Sequence, residues 1–129
     1  MQHLLLFGLA GALGALARYG LSSGIGLLLG GAFPWGIFIT NVLGCFLFGV
    51  IWGLAGLFHV LEDGTRIILL TGFMGSFTTF SSFIFDTQIL LEGGDWFALA
   101  LNVCGQICLG ILALHLGIKL SAHCMTLLS

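Results

Sequence analysis

The sequence predicts an all-α membrane protein with four transmembrane helices per subunit, the third broken near its middle, and two subunits pairing as an antiparallel, dual-topology homodimer. Three observations lead there. Of 129 residues, 59% are apolar and only 6% are Asp, Glu, Lys or Arg; soluble domains carry about 25% charge, so hydrocarbon is the main solvent. The apolar residues fall into four stretches, 4–21, 33–58, 67–91 and 96–122, each near the roughly 20 residues that cross a hydrocarbon core about 30 Å thick. The polar residues of the third stretch gather at its centre. The whole chain, 1–129, is read as a single transmembrane domain.

The first stretch has no basic residue before its apolar part and carries Arg18 near its far end, which reads as a retained span rather than a cleaved leader. Gly8, Gly11, Ala12, Gly14 and Ala15 give it a small-residue face, the kind over which membrane helices approach closely. Ser22 to Gly31 reads as a connection, and Pro34 suits the first turn of the second helix. That helix repeats the small-residue pattern at Gly44, Gly49, Gly53 and Gly56. Glu62-Asp63-Gly64 and Glu92-Gly93-Gly94-Asp95 read as polar turns. Trp35 and Trp96 open helices on one side, with Trp52 near the other, as interfacial anchors. Four spans put both termini on one side, which takes Arg66 and Lys119 against Arg18 on the other. So small a bias permits insertion both ways, and four short helices alone enclose little, hence the expected homodimer.

A net charge of −2 with three basic residues cannot neutralise a run of phosphates, which excludes nucleic acid as a partner. Catalysis finds no footing: there is no Gly-x-Ser-x-Gly, no phosphate-cradling loop ending in Lys-Ser or Lys-Thr, and no pair of intramembrane carboxylates. Cys45, Cys104 and Cys108 lie in apolar runs and read as small hydrophobes. No Cys-x-x-Cys or His-x-x-x-His spacing supports a soft-metal site with His115.

The chemistry lies in the third stretch, where Ser76, Thr78, Thr79, Ser81 and Ser82 place five hydroxyls within seven positions. The apolar pieces on either side are too short to span alone, which marks a broken helix, tolerated only where protein or a water-filled cavity surrounds it. The competing reading is an intact helix whose hydroxyls bond back to the preceding turn. A break frees carbonyl oxygens, ligands for a hard cation such as sodium, and two antiparallel subunits crossing there would share one ion on their axis. Phe80 and Phe83 project from one helix face. Such pairs are usually core or lipid contacts, but these alternate with hydroxyls, and positive ring edges beside O–H donors suit a small anion. Asn41 either lines that lane or ties helices together. Arg18 either raises the local anion concentration or snorkels to the interface. Asn102 and Gln106 share a face of the fourth span as a partial second wall. Asp86 faces a vestibule or gate, or caps a helix.

Three motifs carry a family resemblance: Gly11-Ala12-Leu13-Gly14-Ala15-Leu16-Ala17-Arg18-Tyr19, Thr40-Asn41-Val42-Leu43-Gly44, and Gly72 to Phe83 with its Thr78-Thr79-Phe80-Ser81-Ser82-Phe83 core. In order and spacing they resemble the small bacterial fluoride channels. The resemblance implies passive fluoride export across the inner membrane, antiparallel dimers with two pores, and a central structural sodium ion held by carbonyls at Gly75 and Thr78. It implies Asn41, Phe80, Phe83, Ser81, Ser82 and Gln106 as pore lining and Arg18 as a vestibule residue. Two departures stand out: Ser76 replaces a frequent second glycine, and Gly110 and Leu114 stand where hydroxyls often occur. The rivals are a small dual-topology multidrug or cation antiporter, which needs an embedded carboxylate, and a non-conducting assembly subunit, which leaves the hydroxyl cluster without purpose.

Overall fold

The computed structural model describes residues 1–58 and 63–126, with the side chains of 56–58, 63 and 125 excepted. Among these residues four helical spans are long and apolar enough to cross a membrane. They are α1 (Gln2–Leu29), α2 (Trp35–Phe58), a divided third span, and α5 (Trp96–Thr126). The first half of the third span, α3, runs through an α-helical piece Asp63–Ile67, a π-helical stretch Ile68–Met74 and one α-helical turn Gly75–Phe77. Thr78 and Thr79 are extended, with φ/ψ of −89°/154° and −145°/122°, and α4 (Phe80–Glu92) resumes the path. At about 1.5 Å per residue neither half reaches across 30 Å of hydrocarbon by itself. The third span is therefore broken, as its central hydroxyls predict.

Several boundaries differ from the sequence reading. Ser22 to Leu29 is not a connection but the last two turns of α1; lipid and neighbouring helices override the weak helix preference of Gly and Ser. The chain turns instead at Gly30 and Gly31, both at positive φ (59° and 83°), a conformation that costs glycine little. The longer helix moves Arg18 from near a helix end to its middle third, so it counts toward neither membrane face. Asp63 and Gly64 are already helical, and Glu62 lies outside the described residues. The second expected turn is present: Gly94 takes φ 70°, and Asp95 caps α5 by accepting the Ala98 N–H at 3.0 Å.

Glycine decides the packing. A Cβ at Gly49 would strike the Leu114 carbonyl, and one at Gly117 the Phe46 carbonyl, so α2 and α5 meet backbone to backbone. Gly14 seats α1 against the Phe73 carbonyl, Gly36 seats α2 against Ser22, and Gly44 meets Thr78 and Phe77 at the break. Such approach supplies the dispersion energy that replaces a hydrophobic drive in lipid. Gly8 faces open space and Ala12 is exposed, so the first-span face is narrower than its sequence suggests. Gly105 and Gly117 of α5 also belong to the packing, and Gly56 lies outside the described side chains.

Replacing Gly49 or Gly117 by Val is expected to destabilise the protein by at least about 2 kcal/mol, because backbone cannot yield as a side chain would. Gly8→Ala is expected to be neutral. Unfolding in detergent followed by tryptophan fluorescence measures both.

Candidate functional site

The break in the third span is made by side chains that intercept helical hydrogen bonds. In an intact helix the Thr79 N–H would close on the Gly75 carbonyl; here it donates to Asn41 Oδ1 at 3.0 Å. The Ser82 N–H would close on Thr78; here it donates to Thr79 Oγ1 at 3.3 Å, which makes Thr79 the N-cap of α4. The Gly75 and Thr78 carbonyls thereby lose their helical donors. The Phe77 carbonyl, whose helical donor would be the Ser81 N–H, is released as well, whereas two others are served from elsewhere: Arg18 Nε donates to the Ser76 carbonyl at 3.1 Å and Asn41 Nδ2 to the Thr79 carbonyl at 3.2 Å. Asn41 thus holds both backbone groups of Thr79. The i−4 back-bonding weighed as an alternative does occur, at Thr78 Oγ1 to Met74 (3.1 Å) and Thr87 Oγ1 to Phe83 (2.7 Å), without keeping the helix intact.

From Asn41 a directional chain of hydrogen bonds leads away from the break. Asn41 Nδ2 donates to Gln106 Oε1 at 2.8 Å, Gln106 Nε2 to Asn102 Oδ1 at 2.8 Å, Asn102 Nδ2 to Thr87 Oγ1 at 3.0 Å, and Thr87 to the Phe83 carbonyl. Asn102 is 0% exposed, and its two bonds offset part of the penalty of burying an amide in an apolar medium. Asn41 spends both of its N–H groups, whereas Gln106 and Asn102 each retain one.

Asn41, Phe80, Phe83 and Gln106 come together with Cys45, Thr78, Thr79 and Ile107 around a cavity of about 310 Å³. The Phe80 and Phe83 rings sit 5.8 Å apart with planes inclined by 47°. Phe83 is buried at 9% exposure, while Phe80 projects outward at 75%. Ser81 and Ser82 do not line this cavity; their hydroxyls lie 3.1 and 3.3 Å from Thr79 Oγ1, forming a cluster beside it.

Arg18 is placed at the break itself rather than near a membrane end, and among the described residues no carboxylate pairs with it. Asp86 does not cap a helix through Oδ2, which is buried without a partner among the described residues. It lines a separate cavity of about 240 Å³ beneath the α1–α2 turn, with Ser22, Ser23, Gly30 and Gly31. Gly110 and Leu114 face the α2–α5 seam, where a Cβ on Gly110 would meet Cys45 and the Leu114 carbonyl abuts Gly49. The polar route therefore turns from Gln106 through Asn102 to Thr87, a residue the sequence reading did not single out. The four-residue spacing of Asn102 and Gln106 was its only linear signal.

Residues 5–118 match the family described as CrcB-like protein, Camphor Resistance (CrcB). The chain is 52% identical over 118 residues to a fluoride-specific ion channel FluC of Nitratidesulfovibrio vulgaris, covering 92% of this chain and 95% of that one. It is 46% identical over 120 residues to a FluC of Nitrosococcus oceani, covering 93% and 96%. A FluC of Parabacteroides distasonis is 38% identical over 128 residues, 99% of each chain. With four membrane-length helices, a third span broken at Thr78-Thr79 and relatives matched along nearly their full length, the chain belongs to the CrcB family, that of the FluC channels.

Proposed function

We propose that this protein is a passive, fluoride-selective channel working as an antiparallel homodimer, and that fluoride passes along Phe80, Phe83 and the Asn41–Gln106 amides. The observation that carries the reading is the cavity in which two phenyl rings and a hydrogen-bonded amide chain meet beside the break. Fluoride is small and tightly hydrated, so its passage requires donors that replace water. The free N–H of Gln106, the hydroxyl of Thr79 and the positive ring edges provide donors without a charged group that would trap the ion, and the Ser81 and Ser82 hydroxyls back Thr79 from beside the cavity. Arg18, with no acidic partner among the described residues, sets a positive field at mid-membrane that favours anions and opposes cations. Asn41 acts by position: with both N–H groups spent, it fixes Thr79 and aims Gln106.

The homodimer is supported by what a single subunit leaves uncovered. Phe80 is 75% exposed at the lip of the cavity, and Gly75, whose carbonyl lacks a helical donor, lies at the surface in mid-span. Lipid cannot satisfy such a carbonyl; a second copy crossing at the break supplies the missing wall. The released Gly75 and Thr78 carbonyls are hard oxygen donors and fit a sodium ion, which would neutralise them and hold the two breaks together. The basic residues lend less support than their linear count suggests, since Arg18 lies within the span.

In liposomes containing the purified protein, fluoride efflux is expected to exceed chloride efflux, read by ion-selective electrodes; equal leakage of both, or none, refutes the channel. Phe80→Ile is expected to lower fluoride flux about tenfold or more by removing a ring edge while keeping bulk. Asn41→Asp keeps the acceptor for Thr79 N–H but loses two donated bonds, placing a carboxylate beside two carbonyl oxygens. It is expected to destabilise the fold by about 2 kcal/mol and to abolish flux in the same assay.

A further inference from the structure

We infer that the groove between α2 and α3 at the Arg66 end of the molecule is a binding site for an anionic phospholipid, with the guanidinium of Arg66 taking the phosphate. The groove, of about 540 Å³, is lined by Phe48, Trp52, Arg66, Ile67, Leu70 and Thr71. It lies apart from the fluoride cavity and shares no residue with it.

Arg66 and Trp52 stand at one end, the guanidinium carbon 4.2 Å from the indole centroid. Stacking on an aromatic face restrains Arg while leaving its in-plane N–H groups free, and that planar fork matches phosphate oxygens. Among the described residues Arg66 makes no ion pair. It sits at the start of the third span and Trp52 near the end of α2, the level at which headgroups and aromatic anchors meet. Thr71, five residues further along, is exposed, and among the described residues its hydroxyl has no hydrogen-bond partner. It lies roughly 7 Å deeper at helical rise, where glycerol ester oxygens follow a lipid phosphate. Phe48, Ile67 and Leu70 give the groove an apolar wall for an acyl chain. A fixed cation stacked on an indole, an apolar wall and a hydroxyl within one groove offer partners for the phosphate, acyl chain and glycerol esters of a phospholipid, and basic pockets between membrane helices select anionic headgroups.

The test is lipid retention by the full-length protein purified from bilayers of equal phosphatidylglycerol and phosphatidylcholine, read by native mass spectrometry. Wild type is expected to retain phosphatidylglycerol about fivefold over phosphatidylcholine, Arg66→Gln to fall to near parity, and Arg66→Lys to recover part of the preference. Lys119→Gln, which removes a cation from α5 outside the groove, is expected to leave the ratio unchanged, as is millimolar glycerol phosphate. An unchanged ratio in Arg66→Gln overturns the site, and loss of the lipid to free glycerol phosphate overturns the lipid as its occupant. A lowered dimer fraction in Arg66→Gln with an unchanged lipid ratio also overturns it, and makes the groove a contact between copies.

Discussion

The two-point hold of Asn41 on Thr79 is the interaction on which the rest of the site depends. A helix crossing hydrocarbon does not open by itself, because each carbonyl deprived of its donor is left in a medium that offers none. Asn41 makes the opening stable by accepting the Thr79 N–H and donating to the Thr79 carbonyl. The hydroxyl of Thr79 then caps α4 by taking the Ser82 N–H. Two extended residues, Thr78 and Thr79, are enough to release the carbonyls of Gly75, Phe77 and Thr78 while those of Ser76 and Thr79 stay satisfied.

This hold requires the helices to come very close, and the glycines allow it. Gly44 lies one turn from Asn41 on α2 and admits Thr78 and Phe77 of the break, while Gly14 brings α1 onto Phe73 so that Arg18 can reach Ser76. On the far side α2 and α5 touch at Gly49 and Gly117, which places Gln106 within 2.8 Å of Asn41. Packing energy in the membrane and the assembly of the site are thus the same set of contacts. Bulk added at a seam glycine would act on the amide chain as well as on stability.

On the proposed path the amide chain presents uncharged groups from the second and fourth spans. A fixed carboxylate or ammonium beside the cavity would bind or repel an ion strongly, whereas amides, hydroxyls and ring edges replace hydration by smaller steps. Arg18 supplies net positive charge from the break, with its Nε engaged by the Ser76 carbonyl.

Much of this was legible in the linear sequence. Length and hydropathy alone set four spans, because hydrocarbon thickness and helical rise leave little choice. Five hydroxyls in seven positions marked where the third span opens, since apolar halves so short cannot each cross. The spacing of Phe80 with Phe83, and of Asn102 with Gln106, identified shared faces through the helical period alone. What the sequence left open was decided by contacts between residues distant along it. Asn41 meets Thr79 across 38 positions, Gln106 across 65, and Arg18 meets Ser76 across 58. Periodicity orders side chains around one helix and says nothing of which helix lies opposite. It could not choose between Asn41 as lining and Asn41 as tie, keep Arg18 from a helix end, or route the polar chain through Thr87 instead of Gly110 and Leu114. Those outcomes depend on interhelical distance and rotation, which the glycine seams set only once the four helices pack together.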